Sequence, residues 1–435
     1  MLKLNFRLFF WSILLLLPIL FFSACGDDDS PIVPEVVVPT PVEEPEPEPE
    51  PEPVTEIMIN ASATAADEAQ QAFIEVEKGF TIIFGEGTFS FTNTLSMDGK
   101  DSIIIIGAGR DRTFLDFSGQ TAGGDGVLVS NSTNIRFQDL TVQDSKGDAL
   151  KARDCNTISF VNVATVWSGE PSVDNGAYGL YPVLCTEVYI DNCYAFGASD
   201  AGIYVGQSDQ VIVKNSVAEG NVAGIEIENT TNADVFDNEA FDNTGGILVF
   251  DLPGLTQSGL NSRVFNNNIH DNNRPNFAPE GNIVANVPTG TGVMILSTKN
   301  VEIFNNTIDN NPFAGMLVTN FLIINDDPND PNYDPFPSGI FIHDNTYSNT
   351  DPVNTAAQPE LIQQILFLLL VSGIEQPQIV MDGLLMGENP VCIQEMDASF
   401  VNINAGDATF MSVTTDRSAQ DCVQESLPEI SFTPF

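Results

Sequence analysis

Hydrophobic and polar residues recur along the middle of this chain in a unit of about 22 to 23 residues, repeated at least eight times. Each unit opens with a small residue, which an apolar, variable, apolar triplet usually follows, as at 202–205 and 246–249. The small residues are Gly126, Ala149, Gly179, Gly202, Gly224, Gly246, Gly292 and Gly315. Alternating apolar residues predict β-strands, and a fixed period of this length predicts stacked repeats.

An Asn or Asp lies thirteen residues after the small residue in six of the eight units. These residues are Asp139, Asn162, Asn192, Asn215, Asp237 and Asn305, with Asn266 and Asp344 in two units that insertions lengthen. Stacked turns place equivalent residues about 4.8 Å apart, so amide side chains can bond from turn to turn at a repeated bend. Because Asn238, Asn267, Asn306 and Asn345 adjoin these positions, the ladder's place stays open by one residue.

Short strand-like runs separated by Gly turns precede the repeats at 79–89 and 103–109, after a segment at 65–76 that predicts a short amphipathic helix. With these features the chain resembles the right-handed parallel β-helix proteins of the pectate-lyase-like superfamily over residues 57–349. The resemblance implies an all-β fold, with a right-handed parallel β-helix solenoid at 56–349 and an N-terminal capping helix. It leaves the chemistry open, because the superfamily contains lyases, hydrolases, epimerases and non-catalytic binders.

The repeat fades after Asp344. Residues 359–371 predict an apolar helix too short to span a membrane, and short strand-like runs follow between 377 and 424. Because a solenoid needs a terminal cap over the apolar face of its last turn, we assign residues 350–435 to a C-terminal cap that has room for an extra turn.

The N-terminus has the pattern of a secretion signal, with Lys3 and Arg7 before an apolar run at 8–22. Ser23 and Ala24 before Cys25 resemble the bacterial lipoprotein processing site, which implies a signal peptide at 1–24 and a lipidated Cys25. The alternative, a transmembrane anchor, requires a longer apolar run than these 15 residues.

Residues 25–55 combine the lipidated Cys with a linker that is rich in Pro and Glu, which favours a semi-rigid extended spacer. An acidic run at 27–29 resembles the surface-export signal of some bacterial lipoproteins. The expected location is therefore the outer membrane, lipid-anchored, at the cell surface or otherwise on the periplasmic face.

The chain carries 15 basic and 60 acidic residues, a net charge of -45. This charge argues against a nucleic-acid partner and against contact with anionic lipid by charge, so the lipid anchor is the expected membrane contact. An alternating set of oxygen ligands, Asp330, Asn332 and Asp334, is a candidate Ca²⁺ site. It lacks the Gly and distal Glu of an EF-hand loop, and a solvated acidic loop is the alternative. The sequence predicts no other cofactor.

Five cysteines remain besides Cys25. Cys392 and Cys422 form the natural pair within the tail. Cys155 and Cys185 both lie six residues after their unit's small residue, so they stack in adjacent turns within reach of a second disulfide. Cys193 is left over as a buried thiol.

Insertions lengthen the repeat at 167–176, 251–261, 274–289 and 320–337, and loops at both ends of one strand stack would wall a cleft over it. The residues between the two inward positions of each triplet form an outward column. Its members are Leu128, Lys151, Tyr181, Tyr204, Glu226, Leu248, Met294 and Leu317. Two interpretations stay open: a ligand cleft, or a packing surface that loops or the tail helix cover.

For a cleft, the candidate catalytic residues are Lys151, Tyr181 and Tyr178, and the candidate binding residues are Arg153, Tyr204 and Glu226. Tyr rings stack on sugars, and Lys, Tyr or Glu can move protons. Basic residues concentrate between 110 and 153, which suits an anionic sugar, although salt bridges to neighbouring Asp residues explain them equally well.

Residues 178–183 resemble the Tyr-Gly-Phe-Asp-Pro-His signature of mannuronan C5-epimerases, with Tyr178, Gly179 and Pro182 matching. Tyr181 and Val183 stand where the epimerases have their catalytic Asp and His, so the resemblance does not carry that activity over.

The sequence thus predicts an exported lipoprotein that binds and can modify an acidic, uronate-rich polysaccharide by lyase-like or epimerase-like chemistry. The alternative is a non-catalytic surface protein for adhesion or assembly, with a protein partner at the cell surface. The chain also resembles bacterial parallel β-helix lipoproteins without established activity.

Overall fold

Two parallel β-sheets wind around a common core, which confirms the predicted all-β, parallel β-helix architecture. The computed structural model describes residues 55–325, 327–349, 351–374, 376–384, 390–407 and 412–435. Cys25, the predicted signal peptide and the linker up to residue 54 lie outside these residues. Within the described residues, sheet A has 20 strands and sheet B has 11.

The first turns are short and irregular. Their elements are β1 (Glu56–Ile59), α1 (Ala65–Glu75), β2 (Thr81–Phe84), β3 (Gly87–Ser90), β4 (Leu95–Asp98), β5 (Asp101–Ile106) and β6 (Thr113–Asp116). Helix α1 buries Ala65, Ala69, Ala72 and Phe73. Hydrogen bonds between Gln70 and the backbone of Ser96 attach α1 to β4 (2.9 and 3.1 Å). The helix therefore covers the apolar end of the first turn, as its amphipathic pattern predicts.

Regular turns follow, each with one sheet-B strand and one or two sheet-A strands. The sheet-B strands are β7 (Asp125–Ser130), β9 (Asp148–Arg153), β11 (Tyr178–Val183), β14 (Ala201–Gly206), β17 (Ala223–Glu228), β20 (Gly245–Phe250), β23 (Thr291–Leu296) and β26 (Ala314–Thr319). The sheet-A strands are β8 (Thr133–Gln143), β10 (Asn156–Val166), β12 (Thr186–Asp191), β13 (Tyr194–Phe196), β15 (Asp209–Lys214), β16 (Val217–Glu219), β18 (Thr231–Phe236), β19 (Glu239–Phe241), β21 (Leu260–Phe265), β22 (Asn268–His270), β24 (Lys299–Phe304), β25 (Thr307–Asp309), β27 (Ser338–His343) and β28 (Thr346–Ser348).

Both sheets continue into the segment assigned to the cap. Helix α2 (Glu360–Val371) is followed by β29 (Ile379–Met381), β30 (Val391–Gln394) and β31 (Phe400–Asn402). Strand β29 pairs with β26 and β31 in sheet B, and β30 pairs with β27 in sheet A. The β-helix thus extends beyond residue 349. Short 3-10 helices lie at Ile283–Asn286, Phe321–Ile323, Thr355–Ala357 and Ser418–Gln420.

The small residue that opens each unit is explained by the close approach of neighbouring turns. A Cβ atom at Gly179 would lie 2.3 Å from the carbonyl oxygen of Gly202, and one at Gly246 would lie 2.6 Å from that of Gly292. The two apolar residues of each triplet point inward, such as Ile203 and Val205, which are fully buried.

In the early turns the side-chain ladder lies at the predicted positions, where Asn162 donates to Asp139 and Asn192 donates to Asn162. From Asn238 onward the ladder lies one residue after the positions with the constant offset. In the first ladder, Asn238 donates to Asn267 (3.0 Å), Asn267 to Asn306 (2.9 Å), Asn306 to Asn345 (2.9 Å) and Asn345 to Glu395 (2.8 Å). A second buried ladder joins Asn221, Asn243, Asn272 and Asn311. Positions such as Asn215 and Asn305 instead have positive φ, 50° and 55°, and turn the backbone outward. Both roles favour Asn, which is why the sequence left the register open.

Candidate functional site

The outward column on sheet B aligns as predicted. Leu128 pairs with Lys151, Lys151 with Tyr181, and Tyr204 with Glu226, and the pairing continues through Leu248, Met294 and Leu317. The exposure of the side chains falls along the column. Those from Leu128 to Tyr181 are half-buried, and those from Tyr204 to Leu317 are buried.

Lys151 is held by carboxylates. Its Nζ lies 3.0 Å from Asp148 and 3.8 Å from Asp125, and 4.4 Å from the centre of the Tyr181 ring. Burial, the largest effect, raises the pKa of Asp148 to about 6, although the charge of Lys151 opposes the shift. The Lys151 side chain is therefore already paired with two carboxyl groups, which limits its use as a free base.

Three tyrosines meet beside this ion pair. The ring centres of Tyr178 and Tyr181 are 4.5 Å apart, as are those of Tyr178 and Tyr204, and Tyr181 packs edge-on against Tyr204 at 4.9 Å. Burial raises the pKa of Tyr178 and Tyr181, and nearby carboxylates add to the shift. At neutral pH these phenols stay protonated, so they can donate hydrogen bonds, but the raised pKa makes them weak proton donors.

A group of buried carboxyls lies behind the tyrosines. Burial and the charge of Glu228 raise the pKa of Asp200 to about 7, and the side chains of Asn282 and Tyr178 hydrogen-bond to it. Glu226 is 1% exposed, its pKa is raised by burial, and its Oε2 has no hydrogen-bond partner among the described residues. Tyr204 donates its hydroxyl to Glu228 at 2.6 Å. Asp200 can thus hold or release a proton near neutral pH.

The expectation that Tyr204 and Glu226 form an open cleft floor needs correction, because both side chains are buried, 4% and 1% exposed. The insertion at 274–289 folds back over three turns, where Asn282 reaches Asp200 at 3.1 Å. Further along the column, residues from this insertion, the 320–337 insertion and α2 form a second apolar cluster with Leu248, Met294 and Leu317. That half of the column is a packing surface, and only the part around Lys151, Tyr178 and Tyr181 stays half-open.

Three of the six basic residues between 110 and 153, namely Arg112, Lys151 and Arg153, form ion pairs. Arg153, which is exposed, lies 3.1 Å from Asp154, and Arg112 lies 4.0 Å from Glu86. Together with the Lys151 pairs, these contacts favour the salt-bridge interpretation of the basic residues.

The cysteines in the described residues form one disulfide and leave three free thiols. Cys392 and Cys422 form a disulfide with an S–S distance of 2.07 Å. The expected disulfide between Cys155 and Cys185 is absent from the described structure: both are buried free thiols that donate to backbone carbonyls. Equivalent side chains in stacked parallel turns point the same way about 4.8 Å apart, which is farther than the Cβ separation that a disulfide prefers.

The candidate calcium ligands face partners within the protein. Asp330 accepts hydrogen bonds from the backbone N–H groups of Gly254 and Asn332 (both 3.0 Å), and Asp334 lies 3.4 Å from Lys299. Among the described residues, no group of three or more His, Cys, Asp or Glu side chains is arranged to hold a metal ion. The calcium hypothesis therefore gains no support here.

Sequence reasoning counted Asp148 only among the neighbouring Asp residues that form salt bridges with the basic residues, as it does with Lys151, and it missed Asp200 and Asn282. One signal was present: Asp125 and Asp148 each directly precede the small residue of consecutive units, so they stack on the same face. Asn282 lies within an insertion, and its contact with Asp200 has no counterpart in the repeat. Separately, none of the helices in the described part of the chain is long and apolar enough to cross a bilayer.

Comparisons with known proteins address the fold. A family model described as a right handed beta helix region matches residues 125–274 and 172–323. The comparison with curated protein sequences finds no match.

Among solved structures, the A-module of the Azotobacter vinelandii mannuronan C-5 epimerase AlgE6 is 18% identical, with a TM-score of 0.45 over 67% of this chain and 82% of that one. The AlgE4 A-module from the same organism is 15% identical, with a TM-score of 0.43 over 73% and 87%. The alginate lyase from Paenibacillus sp. str. FPU-7 is 12% identical, with a TM-score of 0.32 over 69% and 97%. Two long parallel sheets, the buried ladders and the family-model match agree, and the chain folds as a right-handed parallel β-helix.

Proposed function

We propose that this β-helix binds a polysaccharide, and modifies it by acid–base chemistry, at the half-open end of the sheet-B column. The observation that carries the proposal is a cluster of half-buried tyrosines of which one, Tyr178, interacts with a carboxyl of near-neutral pKa. Tyr178 and Tyr181 offer aromatic surface and hydroxyl donors, and Asp200 behind them has a pKa of about 7. Sugar rings bind to such surfaces through stacking and hydrogen bonds.

In this proposal Asp200 is the group that gives or takes a proton, and Tyr178 acts as a hydrogen-bond donor beside it. The Tyr178 hydroxyl bonds to Asp200, and both groups are protonated to a large extent at neutral pH. Tyr181 supplies a second phenol at the surface. β-Elimination or epimerisation at a uronate needs one protein group that takes a proton from the sugar and one that gives a proton to it. Asp200, when it is ionised, is the candidate for the group that takes the proton.

The finer proposal is a uronate-rich substrate. Lys151 and Arg153 are the cations near the tyrosines, and Lys151 would have to exchange Asp148 or Asp125 for the sugar carboxylate. Protonation of Asp148 and Asp200 lowers the negative charge of the site. Binding of a uronate should therefore strengthen as pH falls from 8 towards 5.5, whereas binding of a neutral glycan should change little.

We also propose that the domain is carried on a lipid at Cys25, in the outer membrane and at the cell surface. The apolar run at 8–22, the small residues before Cys25 and the extended linker support this location. The lipid would be the membrane contact of this acidic chain.

A second candidate function is non-catalytic attachment to a glycan or a protein partner at the cell surface. Two observations favour it: Tyr181 and Val183 replace the working Asp and His of the epimerase signature, and Glu226 is sealed from solvent. This function would use the same tyrosine surface without turnover.

A glycan panel with neutral and uronate-rich oligosaccharides, screened at pH 5.5 and pH 8, tests the proposal. Each bound glycan is then incubated with the protein, followed by absorbance for unsaturated uronates and by NMR for epimerised residues. Binding with a new product supports the enzyme, and binding without one supports the attachment protein. A folded protein that binds no glycan at either pH contradicts polysaccharide binding, in its catalytic form and in its attachment form.

A further inference from the structure

The last residues of the chain lie on the outer face of sheet A, far in sequence from the strands that they touch. Strand pairing aligns one outward residue per turn along this face, which we call the sheet-A column. Its members are Tyr189, Ile212, Asp234, Arg263, Glu302, Phe341 and Cys392. The disulfide from Cys392 to Cys422 fixes the start of the segment 423–435, the tail, at one end of this column.

From Cys422 the tail runs back along the column towards earlier turns. Gln424 donates to the carbonyl oxygens of Ile340 and Pro390 (3.1 and 2.8 Å). Further along, the Phe432 ring packs edge-on against Tyr189 with the ring centres 6.5 Å apart. The tail thus crosses the turns from β30 to β12.

Two carboxylates of the sheet-A column accept hydrogen bonds from backbone N–H groups of the tail. Glu302 accepts from the N–H of Leu427 at 2.8 Å, and Asp234 accepts from the N–H of Ile430 at 3.0 Å. Both carboxylates are buried and oriented by the protein, since Arg263 bonds Asp234 through two nitrogens (2.8 and 2.5 Å) and His343 lies 3.2 Å from Glu302.

The spacing of these acceptors matches an extended peptide. Asp234 and Glu302 are two turns apart, about 9.6 Å at the strand spacing. Leu427 and Ile430 are three residues apart, about 10 Å in extended chain. The stacked rings of Phe236, Phe265 and Phe304 line the groove beside the column, together with Ile430 and Phe432 of the tail.

We propose that the sheet-A column is a recognition groove for an extended peptide, filled in cis by the chain's own tail. Its ligand is the sequence of residues 423–435, from the same molecule or, when the cis tail is released, from a second copy of this chain. Recognition rests on backbone N–H groups three residues apart and on apolar side chains at Leu427, Ile430 and Phe432.

The test uses the full chain with one backbone donor removed. Proline has no N–H, so Ile430→Pro deletes the bond to Asp234, whereas Ser431→Pro is the matched control because the Ser431 N–H has no partner among the described residues. A fluorescent synthetic peptide with the natural sequence of residues 423–435 is titrated into wild type and both variants.

The peptide should bind the Ile430→Pro chain at least tenfold more tightly than wild type or Ser431→Pro, because only that variant vacates its groove. A labelled peptide that carries the same Ile430→Pro change should bind at least tenfold more weakly. The groove is refuted if the natural peptide binds no variant, or binds all three chains equally. Retention of the folded state is checked by circular dichroism, and a carboxypeptidase should remove the tail faster from Ile430→Pro than from Ser431→Pro.

Discussion

The near-neutral pKa of Asp200 makes a quantitative prediction for Asp200→Asn. Burial raises this pKa from 3.8 to about 7 in the folded protein. At a pH between these two pKa values, Asp200 is ionised in the unfolded chain but keeps its proton in the folded protein. Asp200 therefore makes folding less favourable as pH rises from 3.8 to 7. One pKa unit corresponds to about 1.4 kcal/mol, so the cost is about 1.7 kcal/mol at pH 5 and about 4 kcal/mol at pH 8.

Asparagine has no ionisable group, but it has one acceptor oxygen where Asp200 has two. The Asn282 and Tyr178 donors would then share one oxygen, at a cost of about 1 kcal/mol. Asp200→Asn should therefore be close to wild type in stability at pH 5 and about 2 to 3 kcal/mol more stable at pH 8.

Equilibrium unfolding in guanidinium chloride at pH 5, 6.5 and 8 measures this difference. The control is Asp271→Asn, because hydrogen bonding to His270 lowers the pKa of Asp271 and its carboxylate stabilises the fold. That variant should be less stable than wild type at pH 5. If Asp200→Asn shows the same pH dependence as wild type, Asp200 is ionised in the folded protein and its proposed role in giving and taking a proton near neutral pH is wrong.

Two further predictions concern the stability of the fold and the attachment of lipid at Cys25. Asn267→Ala should lower the free energy of unfolding by about 3 kcal/mol, because it removes four buried hydrogen bonds. Asn266→Ala, at a residue with a φ of 57°, should lower it by about 1 kcal/mol. Unfolding in denaturant measures both differences from wild type. Cys25→Ala should abolish incorporation of a labelled fatty acid in expressing cells, and label retained in that variant would contradict the lipoprotein assignment.

The repeat allowed the fold to be predicted because its constraints are local and periodic. Small residues at the opening of each unit permit close stacking, and alternating residues fill the core. The predicted ladder positions hold in the early turns, and from Asn238 onward the ladder lies one residue later, because neighbouring Asn residues serve two purposes: Asn305 bends the backbone, and Asn306 bonds the next turn. No periodic signal separates these roles.

The site was only partly predictable because its burial depends on segments outside the repeat. The order of Lys151, Tyr181 and Tyr204 along one column follows from register alone. Whether Tyr204 is exposed depends on where the 274–289 insertion folds, and the sequence gives that insertion no period. The position of the tail could not be predicted for the same reason, because contacts such as that from Ile430 to Asp234 join residues far apart in sequence.

The central claim, that a glycan binds at the tyrosines, is tested most directly by calorimetric titration of the best-binding oligosaccharide into Tyr181→Ala and Tyr194→Ala. Tyr194 is a half-buried tyrosine on sheet A that donates to Glu219 at 2.9 Å, so it controls for the loss of a ring elsewhere. Tyr181→Ala should weaken binding by roughly 1 to 3 kcal/mol, the range for an aromatic contact at the centre of a site, and Tyr194→Ala should bind as wild type does. Equal affinity of both variants and wild type would contradict the claim and move the glycan site to another face.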